Sequence, residues 1–175
     1  MEKHIIVNYH YVEDPSPAWG GIWPCPVAEF ELQIKFLSEN YKFAATEDLF
    51  KASQEESLKP LALVAFDDGL KDQYENAMPI LEKYGATAIF FPITSTFDGG
   101  IPGTHKLHVL LSKMEASELI DLFNSQSKET IPKNRRVNNE RRLFENVHTA
   151  NLKEVLLAMP PDIKDAFLNY AFEKL

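Results

Sequence analysis

LALVAFDDGLKDQYENAMPILEKYGATAIFF, residues 61–91, is the stretch on which the fold turns. Leu61 to Phe66 is an unbroken apolar run, the pattern of a strand buried on both faces. Asp67-Asp68-Gly69 breaks it. From Leu70 the spacing becomes helical, with Leu70, Tyr74, Ala77, Met78, Leu81 and Tyr84 on one face. Gly85 suits the helix end, where a positive φ is often needed. Ala88 to Ile93 is a second apolar run. The stretch therefore reads as a βαβ unit with two carboxylates at the C-terminal end of its first strand. Active sites of parallel α/β folds gather at that end. Adjacent side chains inside a strand face apart, but at a turning strand end both aspartates can reach one cavity.

Working outward toward the N-terminus, His4 to His10 reads as a strand built on Ile5-Ile6-Val7. The segment from Glu13 to Pro26 carries Pro15, Pro17, Gly20, Gly21, Pro24 and Pro26, which forbid regular structure. Its Trp19, Ile22 and Trp23 either cap the core or, at the strand-end face, offer aromatic surface on which a ligand ring could stack. Val27 to Glu39 is an amphipathic helix with Phe30, Ile34 and Leu37 inward. Tyr41 to Ala45 is a short strand, and Thr46 is the N-cap of a helix running through Leu49 and Phe50 to about Gln54. A polar loop, Glu55 to Pro60, leads into the central strand. Strands alternating with helices in this way call for a parallel sheet with right-handed crossovers.

Beyond Ile93 the character changes. Thr94 to Thr104 is a glycine-containing loop, and the rest shows helical patterns at about 105–113, 115–126, 138–148, 151–159 and 161–174. Pro161 fits a first helical position, and Ile163, Phe167, Tyr170 and Phe172 give the last helix a broad apolar surface. Ser127 to Arg136 reads as a polar linker. The basic cluster Lys133, Arg135, Arg136, Arg141 and Arg142 is interspersed with glutamates, as on a solvated face, and no phosphate-binding glycine loop accompanies it.

The 175 residues, 45% hydrophobic, suffice for one globular core and a satellite. The net charge of -8 argues against nucleic acid and anionic membranes as partners. The single cysteine, Cys25, excludes an internal disulfide and a cysteine-rich metal site. The opening residues lack a signal-peptide pattern and no run approaches a membrane span, so a cytoplasmic location is expected.

Phe66-Asp67-Asp68-Gly69, then Pro79-Ile80-Leu81-Glu82-Lys83-Tyr84-Gly85, then Phe90-Phe91, resembles the first motif of the polysaccharide deacetylases, the NodB-homology group or carbohydrate esterase family four. Tyr9-His10 is similar to a Tyr-His pair that related sequences carry at the end of the first strand. The resemblance implies an α/β fold. Residues 1–104 would be the front half of an irregular (β/α) barrel with about four parallel strands, and residues 105–175 an all-helical insertion or extension. It implies metal-dependent hydrolysis of N-acetyl groups on a polysaccharide or sugar precursor. By position, Asp67 would be the general base, Asp68 a ligand of a divalent metal such as zinc, and His10 a residue lining the substrate cavity. The alternatives are that Asp68 only caps the following helix and that His10 is a strand-end histidine satisfied by backbone.

The sequence also departs from the family pattern. The H-[ST]-x-x-H motif that supplies metal histidines is absent, and its nearest approach is His105-Lys106-Leu107-His108, with the wrong spacing and no hydroxyl residue. Arg-x-Pro-Tyr and Leu-x-His segments are absent too, and Ala65 stands where the family usually has threonine. The sequence ends before a strand that could carry the histidines, which points to the front half of a larger protein or a remnant of one. The expectation is an incomplete metal site and a chain inactive alone. The competing expectation is a degenerate deacetylase fold used as a binding or assembly module, its open sheet edges covered by a homodimer.

Overall fold

The apolar run from Leu61 becomes the middle of a sheet because it has partners along both edges. In the computed structural model the described residues are 4–45, 47–48, 60–133, 137 and 139–175. The expected helix through Leu49 and Phe50 to about Gln54, most of the 55–60 loop, and Arg135 and Arg136 lie outside them. The chain divides into two compact units, residues 1–15 with 23–98, and residues 16–22 with 99–175.

In the first unit β1 (Ile5–Tyr9), β2 (Lys42–Phe43), β3 (Leu61–Asp68) and β4 (Ala88–Pro92) form a four-stranded parallel sheet. One edge of β3 pairs with β1, in register from Ile5 with Ala62 to Tyr9 with Phe66. The other edge is shared end to end by β2, opposite Leu61 and Ala62, and β4, opposite Val64 to Asp68. The expected α/β architecture, with four parallel strands followed by helices, is what the structure shows. One face of the sheet, carrying Ala62, Val64 and Phe66, packs on α1 (Val27–Asn40) through Phe30, Ile34 and Leu37. It also packs on Ile80 and Leu81 of α2 (Met78–Lys83). Phe66 is fully buried among Tyr9, Phe30 and Phe90, with the Phe90 ring stacked 4.9 Å away.

Two local expectations are corrected. The strand does not break at Asp67: the ladder continues, Asp67 opposite Phe91 and Asp68 opposite Pro92. Backbone pairing is indifferent to side-chain polarity, and the chain turns only where Asp68 and Gly69 adopt φ of 75° and 70°. On the following helix Ala77, Met78, Leu81 and Tyr84 pack on the core as expected, but Tyr74 does not, because the helix is entered through a π-helical stretch, Gln73–Ala77. A π turn accommodates one extra residue per turn. At the helix entry the inward position therefore shifts by one: Gln73 is 1% exposed and Tyr74 is 76% exposed.

The second unit is helical, with α3 (Gly103–Lys113), α4 (Ala116–Gln126), α5 (Val147–Ala158) and α6 (Pro161–Phe172). Its core joins Leu107, Leu110, Leu119, Ile120, Phe123, Leu152, Leu156, Phe167 and Leu168. Glu115 and Glu118 make a capping box at the start of α4. The expected helix at 138–148 is not formed; Glu140–Arg142 is a short 3-10 turn. Asn146 then caps α5 by accepting from the Thr149 N–H at 2.9 Å, so this helix starts earlier than its apolar spacing suggests. The basic side chains here face carboxylates: Lys133 pairs with Asp121 at 2.6 Å and Arg142 with Glu154 at 2.9 Å. Among the described residues no helix is long and apolar enough to cross a membrane.

Candidate active site

Asp67 lies on the sheet face opposite the one that packs on α1 and α2. Strand alternation puts it on the same face as Leu63 and Ala65, and register puts Asn8 of β1 and Phe91 of β4 on that face beside it. This face is open at its C-terminal end: the Asp67 side chain is 38% exposed and that of His10 is 54% exposed. Phe91 is exposed as well, whereas its neighbour Phe90 points the other way onto Phe66.

The carboxylate of Asp67 is held from β1. Asn8 Nδ2 donates to Asp67 Oδ2 at 2.7 Å, and His10 Nε2 stands 3.6 Å from the same oxygen. The pairing of Asn8 with Ala65 explains how the site accommodates the small residue there: the polar donor comes from the neighbouring strand instead of from position 65. Asn8 was not singled out from the sequence. Period-2 alternation with His10 was the signal available, but it gains meaning only once β1 is known to lie beside β3.

Asp68 takes a different path. Its φ of 75° is uncommon for a residue with a Cβ, and such conformations persist where the surroundings over-determine them. Asp68 remains paired with Pro92 in the ladder even so. It stands near Tyr11, whose hydroxyl is pushed well above the usual tyrosine range, first by burial and then by the carboxylates of Asp68, Asp72 and Glu13. The Glu13 carboxyl is raised by burial and then by Asp72. Asp72 itself accepts from the Val12 N–H. Behind the site, the Tyr9 hydroxyl donates to Gln33 Oε1 at 2.7 Å, and its pKa is raised to about 12, mainly by burial.

The structure thus brings Asp67 and His10 together, with Asp68 next in the chain at the same strand end. His105 and His108 share one side of α3 in the second unit, their ring centroids 6.2 Å apart. Among the described residues no group of three or more His, Cys, Asp or Glu is placed to hold a metal ion. Trp23 is 75% exposed and Trp19 is 41% exposed, so neither caps a core. Trp19 instead lies under the ammonium of Lys113, 4.5 Å from its ring centroid.

Residues 54–124 match the family model of the polysaccharide deacetylases. A putative polysaccharide deacetylase of Bacillus subtilis strain 168, YxkH, is 29% identical over 113 residues, which covers 63% of this chain and 37% of the relative. The chain therefore spans little more than a third of that protein's length. Among solved structures, the Streptococcus pyogenes deacetylase PplD in complex with acetate superposes with a TM-score of 0.50 at 20% identity, over 88% of this chain and 80% of that one. The fold is like that of the PplD deacetylase, and the family model matched over residues 54–124 is that of the family which the motif at 66–91 resembles.

Proposed function

From this polysaccharide deacetylase-like fold we propose that the chain carries the general base of a hydrolase that removes N-acetyl groups from a polysaccharide or sugar precursor. The observation that carries the reading is the Asp67 carboxylate, at the C-terminal end of the central strand and open to solvent, with Asn8 on one oxygen. Amide hydrolysis needs a water whose proton is removed as its oxygen attacks the acetyl carbon. Asp67 is suited to that task because the Asn8 amide fixes its Oδ2 while the carboxylate stays open to solvent. His10, beside it, lines the place where the sugar would sit, and Phe91 offers an exposed aromatic surface one strand over.

The family implies a divalent metal, zinc being the expected ion, that polarises the acyl oxygen, with Asp68 as a ligand. The described residues do not by themselves fit a resident metal. We place the missing ligands outside this chain, so that the chain alone is inactive. The test uses N-acetylglucosamine oligomers with added zinc or cobalt and measures free acetate. The isolated chain should release none, and release by it would sink the claim of an incomplete site. In any longer reading frame that is active, Asp67→Asn should lower the rate about 10²–10⁴-fold; a loss smaller than about tenfold would remove Asp67 from the role of base.

That the described residues form no three-ligand group favours one further reading, a degenerate deacetylase fold that binds carbohydrate without chemistry. Oligosaccharide affinity unchanged by Asp67→Asn, together with no activity in any longer frame, would support the module over the enzyme.

A further inference from the structure

The β1–β3 ladder ends at the pair Tyr9 and Phe66, one residue short of His10 and Asp67. The carbonyls of those next two residues both receive Gln73. Its Nε2 donates to His10 O at 2.9 Å and to Asp67 O at 2.5 Å. Gln73 is 1% exposed, and its Oε1 is buried without a hydrogen-bond partner. A buried amide that leaves its acceptor unsatisfied while both donor hydrogens are engaged calls for an explanation beyond packing. The π-helical entry to α2 supplies the geometry, since it is the register slip at Gln73–Ala77 that turns this side chain inward. Flanking side chains on the same segment act on the next residues of the loop. Asp72 accepts from the Val12 N–H at 2.5 Å, and Asn76 donates to the Val12 carbonyl at 2.8 Å.

We propose that Gln73 is a positioning residue: it serves as the last rung between β1 and β3 and thereby sets the approach of the His10 imidazole to the Asp67 carboxylate. The significance of that approach rests on the deacetylase reading, but the positioning itself does not. π turns of this kind recur at functional sites because the extra residue re-aims side chains without ending the helix. Here the turn trades an aromatic, Tyr74, for an amide in the inward position. An apolar side chain at 73 would fill the space but leave two strand-end carbonyls without donors. The ends would then be free to part.

The experiment is NMR on the isotopically labelled full chain, reading the His10 Cε1–H resonance with and without Asp67→Asn. In the wild-type background the substitution should move that resonance. In Gln73→Met, and in the isosteric Gln73→Glu, which lacks the donor, the response should be lost while the rest of the spectrum stays folded. A folded Gln73→Met chain that keeps the full response, or no response in the wild-type background, overturns the proposal. So does a loss of thermal stability with the response intact, because that would be a structural role only. Should both variants fail to fold, the wild type decides: its Gln73 side-chain amide protons should exchange slowly and show couplings to the carbonyl carbons of His10 and Asp67. Exchange at the rate of a free primary amide would overturn it. None of these readouts depends on acetate release, so a failure of every longer reading frame to deacetylate would sink the functional reading and leave the positioning intact.

Discussion

Gly69 sits where the central strand turns, and replacing it with alanine tests the packing of the candidate site independently of any activity. Gly69 and Gly85 both have left-handed backbone, with φ of 70° and 62°. A Cβ in that region costs about 1–2 kcal/mol, offset by about 0.5–1 kcal/mol because alanine has less freedom to lose from the unfolded chain. Gly85 has open space where a Cβ would stand. Gly85→Ala should therefore cost only about 1 kcal/mol. At Gly69 the added Cβ would lie 2.7 Å from Pro92 Cβ and 3.0 Å from Pro92 Cα. These are ring and backbone atoms of β4 that cannot rotate aside, so overpacking adds about 1–3 kcal/mol. Gly69→Ala should then cost about 2–4 kcal/mol in total. The assay is native-state hydrogen exchange of the β3 amides, which reports the opening of this unit without assuming that the two units unfold together. Gly69→Ala should also loosen the rung between Asp68 and Pro92 before the rest of the sheet. If it proves no more destabilising than Gly85→Ala, the close approach of β4 to the turn is wrong, and with it the placement of Asp67 beside Phe91.

Asn8→Asp would set a second carboxylate against Asp67, so the pair would hold a proton more tightly in the folded chain than in the unfolded one. Stability relative to wild type should therefore be retained near pH 4 and fall by about 1 kcal/mol toward pH 7, as urea titrations at the two pH values would show. Tyr9, raised to about 12, contributes stability that is present below its unfolded value near 10 and lost as the pH climbs to 12. Tyr9→Phe should flatten part of that alkaline loss, while costing about 0.5–1.5 kcal/mol at neutral pH through the orphaned Gln33 oxygen; an unchanged alkaline limb would show that Tyr9 is not the group responsible. Phe66→Ala empties the centre of the aromatic cluster and should cost about 3–5 kcal/mol by denaturant titration followed at the β3 amides; a cost below about 1 kcal/mol would contradict its complete burial.

The central strand was legible in the sequence because a two-sided buried strand needs nothing but apolar residues, and Leu61 to Phe66 leaves no other reading. The helix at Val27 was legible for the same kind of reason: Phe30, Ile34 and Leu37 recur at the helical spacing and are all buried. Asp67, Asp68 and His10 were found as candidates from strand-end position and family resemblance, since both depend on local order along the chain. What sequence could not supply were quantities fixed between segments. The start of α5 was missed because a side-chain cap at Asn146 outweighed apolar periodicity. The inward turn of Gln73 was missed because a π turn changes the period itself, and its partners His10 and Asp67 are 63 and 6 residues away in the chain. Asn8 was silent for the same reason, a polar residue in an edge strand whose use appears only when Asp67, 59 residues on, is laid beside it. Sequence by itself determined the four parallel strands, the helix at Val27 and that two carboxylates end the central strand. Tertiary structure decided which oxygen each donor reaches, because hydrogen-bond geometry is set by strand register and helical phase across segments, and neither is encoded by spacing within one.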